Sequence, residues 1–159
     1  MRTTGLKKMG LLVVLLVLPK FAMAATATAQ ALANVIAQLT ITKERDLNFG
    51  DLVAGSVAVP VPADPSEVRA AKFMVAGQPN AEFNITLPAD GSVIMRTAGG
   101  GSPETEIGVN TFASLPATRG TIDPAGSAEL FVGATSADLL PTQAQGGYTG
   151  DFVVEVVYP

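Results

Sequence analysis

The chain has 159 residues, with ten basic and fourteen acidic side chains and with no histidine, cysteine or tryptophan. Without cysteine or histidine it has no disulfide, no thiol or imidazole for nucleophilic catalysis, and neither of the commonest zinc ligands. The acidic balance argues against nucleic acid and anionic membranes as partners. The composition therefore predicts a protein that is not an enzyme and that has no catalytic, cofactor or metal site.

Residues 1–24 have the composition of a secretory signal peptide. A basic start is followed by a short apolar run, Met9–Leu18, and by an Ala-Met-Ala cleavage motif that ends at Ala24. Four of the ten basic residues lie in this segment, so the mature chain carries six basic and fourteen acidic residues, a net charge of −8. We expect export through the inner membrane to the periplasm, then the cell surface or secretion, with no membrane span in the mature chain.

Residues 25–42, ATATAQALANVIAQLTIT, are apolar at every odd position. A period of two predicts an extended strand with one apolar face. The larger apolar residues Leu32, Val35, Ile36 and Leu39 are also spaced as a helical stripe, so an amphipathic helix is the alternative.

Short alternating segments separated by turn residues fill the middle of the chain. After a charged turn at 43–46, the predicted strands are 47–53, 56–59, 70–76, 83–87, 92–97, 107–112 and 128–132. Eleven prolines and sixteen glycines suit the many turns between them. This spacing predicts one all-β domain, a sandwich or barrel, over residues 37–159.

The last stretch, Gly146–Pro159, predicts a long strand over residues 148–158. Its side chains Phe152, Val154, Val156 and Tyr158 fall on one face, which we expect to be buried, with a half-buried opposite face. The printed sequence ends after this strand, so we expect its far edge to lack a later partner. An open apolar edge attracts another strand, and we expect a second subunit to supply it.

Several acidic residues are candidates for reactive or calcium-binding groups. Two carboxylates are enough for a glycosidase, and oxygen ligands are enough for calcium, but the spacing favours solvated loops in every case. The candidate pairs are Glu104 with Glu106, Asp46 with Asp51, and Asp64 with Glu67.

Both ends of the chain resemble fimbrial subunits assembled by the chaperone–usher route. The C-terminal stretch is similar in its alternating apolar strand, its penultimate aromatic residue Tyr158 and a glycine fourteen places from the end, Gly146. The stretch ATATAQALANVIAQLTI resembles their donor strand. The segments LNFGDLVAG, GQPNAEFNITLP, ELFVGAT and GGYTGDFVVEVVY are similar to the exported DUF4402 family, so the resemblance covers residues 25–159.

This resemblance implies an immunoglobulin-like β-sandwich that lacks its last strand and is completed by residues 25–36 of the next subunit. It implies a structural subunit of an adhesive surface fibre, a fimbria or pilus, whose partners are its own copies or related subunits, a periplasmic chaperone and an outer-membrane usher. The alternative is a monomeric exported binding module whose own N-terminal stretch fills the groove. The implied donor residues are Ala27, Ala29, Ala31, Ala33 and Val35, and the implied assembly residues are Gly146, Tyr148, Phe152, Val154, Val156 and Tyr158.

Overall fold

The computed structural model describes residues 25–159 of the chain. The predicted signal peptide, residues 1–24, lies outside the described residues. Residues 35–159 form one compact unit, and residues 25–34, which belong to a separate unit, contain neither helix nor strand. The described part has nine strands and one 3-10 helix, Pro103–Thr105. The strands are β1 (Thr40–Arg45), β2 (Pro60–Val61), β3 (Ala71–Ala76), β4 (Glu82–Thr86), β5 (Val93–Arg96), β6 (Glu106–Leu115), β7 (Arg119–Thr121), β8 (Ser127–Ser136) and β9 (Glu155–Val157).

The strands form two antiparallel sheets, which confirms the predicted all-β sandwich. The larger sheet has six strands in the order β1-β3-β8-β6-β5, with β2 paired to β8, and the smaller has the order β7-β4-β9. β1 lies at one edge of the larger sheet, and β9 lies at one edge of the smaller sheet. Neither strand has a partner on its outer side among the described residues.

The core consists of two clusters of apolar side chains. The larger cluster includes Phe73, Val75, Phe83 and Leu130, which come from strands of both sheets. The second cluster joins Val61, Val93 and Val109 of the larger sheet to Phe49, which lies in a loop. Successive side chains of a strand point to opposite faces, so every second residue of β3 is buried in the core.

Several predicted strands are confirmed, and two are longer than predicted. β3, β4 and β5 match the predicted segments 70–76, 83–87 and 92–97 closely, while β6 and β8 extend beyond the predicted segments 107–112 and 128–132. β7 was not predicted, because its three residues, Arg-Gly-Thr, carry no apolar alternation. The predicted charged turn at 43–46 is wrong, since β1 continues to Arg45.

The predicted strands 47–53 and 56–59 are wrong, because both segments are loops. Gly50 and Gly55 have φ of +75° and +79°, values that turn the chain out of an extended path. Phe49 is buried although it lies in no strand, so its apolar character reflects a loop that covers the core.

The predicted strand over residues 25–42 begins only at Thr40. Residues 25–39 form no strand, and the helix considered as the alternative is not formed either. A strand requires a paired backbone, and residues 25–36 make no hydrogen bond among the described residues.

Candidate functional site

The C-terminal segment is fixed at both ends to different sheets. Thr149 exchanges two backbone hydrogen bonds with Arg96 of β5, at 2.8 and 3.0 Å, and β9 pairs with β4 in the smaller sheet. Gly150 permits the pairing of Thr149 with Arg96, because a Cβ at residue 150 would lie 2.6 Å from the Ile94 carbonyl oxygen. Gly146 has φ of +144°, and a Cβ there would lie 2.7 Å from the Thr97 hydroxyl oxygen.

Between these anchors, the backbone of residues 150–154 is unpaired. None of its N–H or C=O groups makes a hydrogen bond among the described residues. Val154 is nevertheless buried, with 9% of its surface exposed. Backbone groups near a buried side chain normally find protein or water partners, and those of residues 150–154 have no protein partner among the described residues.

The side chains of this segment alternate as the sequence predicts. Val154 lies in the larger core cluster, and Phe152, Val156 and Tyr158 pack against that cluster. The opposite face is exposed, with Val153 at 78% and Val157 at 43% exposure, so the prediction that it is half-buried is wrong. The predicted long strand 148–158 is also wrong in length, because only Glu155–Val157 is paired as a strand.

A groove lies between residues 43–54 and residues 144–152. It consists of two cavities of about 450 and 440 Å³, which share the lining residues Leu47, Met95 and Tyr148. The first cavity is also lined by Ile107 and Leu139, and the second by Ala71, Phe73 and Phe152.

The aromatic contacts show how close this groove comes to the core. The ring centroid of Phe152 lies 6.3 Å from that of Phe73, edge-on, and 5.4 Å from that of Phe112. Because Phe152 remains half-buried, the groove exposes the edge of the core.

Gln143 and Tyr148 fix one wall of the groove. The buried Gln143 side-chain amide donates to the carbonyl oxygens of Glu104 and Glu106 at 2.9 and 3.1 Å, and it lies 3.0 Å from the Tyr148 hydroxyl. The Tyr148 hydroxyl lies 2.8 Å from the Ala144 carbonyl oxygen. Sequence reasoning missed Gln143, since a polar residue in a loop gives no signal of burial.

The chain enters the folded unit beside Tyr158. The Tyr158 hydroxyl donates to the Ala37 carbonyl oxygen at 3.0 Å and accepts from the Gln78 backbone N–H at 2.7 Å. The Ala37 N–H donates to the Gln78 side-chain oxygen at 3.2 Å. Leu39 and Ile41 then pack against the larger core cluster. We call this end of the sandwich, where Ala37, Gln78 and Tyr158 meet, the Tyr158 pole.

The predicted donor residues are all exposed, and none lies in a strand. They are Ala27, Ala29, Ala31, Ala33 and Val35. The predicted assembly residues lie together along the C-terminal segment, where Gly146, Tyr148 and Phe152 line the groove and Val154, Val156 and Tyr158 continue toward the Tyr158 pole.

The two candidate calcium ligands, Asp64 and Glu67, have protein partners. Asp64 accepts hydrogen bonds from the Ser66 hydroxyl and backbone N–H at 2.6 and 2.7 Å, and these lower the pKa of the Asp64 carboxyl. Hydrogen bonds from Arg69 lower the pKa of Glu67. Over residues 25–159, no three acidic side chains cluster as metal ligands, and no helix has the length and hydropathy to cross a membrane.

Comparison with known families adds one match. Residues 39–158 match the family described as Domain of unknown function (DUF4402). The chain belongs to the DUF4402 family. No curated protein and no solved structure matches the chain. The match to the DUF4402 domain begins at Leu39, where the chain enters the core, and ends at Tyr158, so it includes the groove and leaves residues 25–36 outside it.

Proposed function

We propose that this protein is a structural subunit of a surface fibre, in which residues 25–36 of one copy fill the groove of the next. The observation that supports this most strongly is the unpaired backbone of residues 150–154 beside a groove that exposes the edge of the core. An added strand would gain main-chain hydrogen bonds there, and its alternate side chains would enter the groove.

The N-terminal extension has matching properties. Its odd positions are apolar, its side chains are exposed, and its backbone is unpaired among the described residues. Twelve extended residues, 25–36, reach about 40 Å at 3.3 Å per residue. The part of the C-terminal segment that precedes β9, residues 146–154, has nine residues. The extension is therefore long enough to follow this part of the segment.

A contact of this kind generates a fibre because it joins two different surfaces. Each copy would offer an extension to one neighbour and a groove to another, and a head-to-tail contact that does not close produces an open filament. An immunoglobulin-like sandwich completed in this way, exported and delivered to the surface by a periplasmic chaperone and an outer-membrane usher, is the function that we propose.

Peptide complementation tests the proposal. A variant without residues 25–36 has an empty groove, so a synthetic peptide of residues 25–37 should raise its melting temperature. At a peptide concentration one hundred times the dissociation constant, we expect about 2.7 kcal/mol of added stability. A scrambled peptide of the same composition is the control.

Two outcomes would contradict the fibre. If saturating peptide leaves the melting temperature unchanged, the groove does not bind the extension. If the exported chain remains monomeric at every concentration while its own extension is protected from proteolysis, the monomeric binding module is the better description.

A further inference from the structure

An apolar rim lies next to the groove, on two loops that are joined by hydrogen bonds. The Gly55 N–H donates to the Leu140 carbonyl oxygen at 3.0 Å, and the Leu139 N–H donates to the Ser56 carbonyl oxygen at 2.9 Å. The rim consists of three exposed side chains, Val53 at 73%, Val57 at 76% and Leu140 at 39% exposure.

The groove does not use these three side chains. Their neighbours Leu52, Ala54 and Leu139 line the first cavity, whereas the rim residues do not. The three side chains lie on one pair of hydrogen-bonded loops whose other residues line the groove, so they are available to a protein that docks at this end of the sandwich. We call this end of the sandwich the Leu139 pole.

The Tyr158 pole lies at the other end of the sandwich. β8 begins there, with Ser127 opposite Ala76, and it ends near the rim, where the Ser136 N–H donates to the Val59 carbonyl oxygen. The ten residues of β8 run from one pole to the other, so the poles lie about 33 Å apart. Two adjoining turns at the Tyr158 pole expose Pro79, Pro124 and Ala125.

Leu39 and Ile41 of the same chain pack against the core at the Tyr158 pole, so an incoming strand would have to enter the groove from the Leu139 pole. A neighbour's extension that enters from the open end would run antiparallel to residues 148–158. Its residues nearest the neighbour's own body would then lie at the Leu139 pole.

The folded unit of the copy that donates the extension must then lie close to the copy that accepts it. Ala37 is bonded to its own Tyr158 pole, and Ala33 would lie in the acceptor's groove. Three residues lie between these positions, and the four Cα–Cα steps reach at most about 14 Å. The Tyr158 pole of the donor therefore comes against the Leu139 pole of the acceptor.

From this geometry, and resting on the proposed strand exchange, we infer that the rim residues Val53, Val57 and Leu140 dock against the turns Pro79 and Pro124–Ala125 of the next copy. The contact is apolar on both sides, and it would set the angle between successive subunits. It also fixes the polarity of the fibre, since the opposite, parallel strand direction would bring two Tyr158 poles together and close a two-fold dimer.

Charge substitution on the rim of the full exported chain tests this contact. Val53 is exposed, so Val53→Glu should fold normally, and the buried charge at the contact should slow fibre formation tenfold or more. The matched control is Thr42→Glu, which adds the same charge on the outer face of β1. Fibre formation is measured by sedimentation and by negative-stain microscopy.

Three further variants separate the effect of the rim from that of the groove. The chain with Ala33→Arg should accept a strand but not donate one, so a fluorescent peptide of residues 25–37 should bind it. The double variant Ala33→Arg/Val53→Glu should bind the same peptide within twofold. In the double variant Val53→Glu/Ala125→Lys, a salt-sensitive ion pair across the contact should restore fibre formation.

The results distinguish the rim contact from the strand exchange. The rim contact is overturned if Val53→Glu forms fibres as fast as Thr42→Glu, or if Ala125→Lys does not restore assembly at low salt. Failure of the Ala33→Arg chain to bind the peptide would instead overturn the strand exchange, and the rim contact with it.

Discussion

Val153 and Val154 are adjacent valines on opposite faces of the C-terminal segment. Comparing substitutions at the two positions therefore tests which face of the segment points to the core. Val154 is 9% exposed and Val153 is 78% exposed. Val154→Ala removes two carbon atoms from the core, which costs about 1.5 kcal/mol in lost burial. Incomplete collapse around the cavity raises the expected loss of unfolding free energy to about 2–3 kcal/mol.

The matched variant Val153→Ala has the same change in strand propensity but loses little burial. We expect its unfolding free energy to stay within about 0.5 kcal/mol of the parent. For a domain of this size each kcal/mol shifts the melting temperature by about 3–4 °C, so Val154→Ala should melt about 6–12 °C lower.

Urea unfolding at two protein concentrations should be used for this comparison, because a contribution from assembly would depend on concentration. Equal losses for the two variants, or a larger loss for Val153→Ala, would refute the register and with it the inward direction of Phe152 and Val156.

Three further changes test the walls of the groove and the Tyr158 pole. Gly150→Ala should cost about 1–3 kcal/mol, because its Cβ would meet the Ile94 carbonyl oxygen, whereas Gly147→Ala, with nothing within 4 Å, should be tolerated in the same thermal melt. Gln143→Leu removes a donor from the carbonyl oxygens of Glu104 and Glu106, of which the Glu104 oxygen keeps the Ala144 N–H, and should cost about 1–3 kcal/mol by urea unfolding; an unchanged free energy of unfolding would contradict the structural role of Gln143. The Ser127 backbone N–H lowers the pKa of Asp123, so the carboxylate stabilises the fold above its ordinary pKa, and this contribution is lost as pH falls through the lowered value. Asp123→Asn should therefore melt lower than the parent at neutral pH, with a difference that disappears in acid; a constant difference would contradict the linkage.

The sequence predicted those parts of the fold that depend on local alternation. β3 and β4 follow the period-two rule closely, and the inward face of the C-terminal segment was predicted residue by residue. The face was predictable because a buried strand must place its apolar side chains on one side.

Features that depend on distant contacts were not predictable. Phe49 resembles a strand residue in sequence, but it covers the core from a loop with Gly50 at positive φ. Gln143 is polar and lies in a turn, and only the fold brings the carbonyl groups of Glu104 and Glu106 to it. In the predicted strand over residues 25–42, residues 25–39 lack a strand partner in the single chain, and alternation alone does not specify whether another chain would supply one.

Cysteine cross-linking tests the proposed contact between two copies, and the chain has no native cysteine to interfere. Cross-strand neighbours point to the same side, so outward-facing even positions of the extension should meet the outward-facing Val153. One chain carries Val153→Cys, and the other carries a cysteine at Gln30, Leu32 or Asn34 in turn. We expect a disulfide-linked dimer for at least one of these pairs, and none when the cysteine replaces Thr121 on β7. If no pair links two different chains, or if a disulfide forms only when both cysteines are in the same chain, the extension does not fill a neighbour's groove.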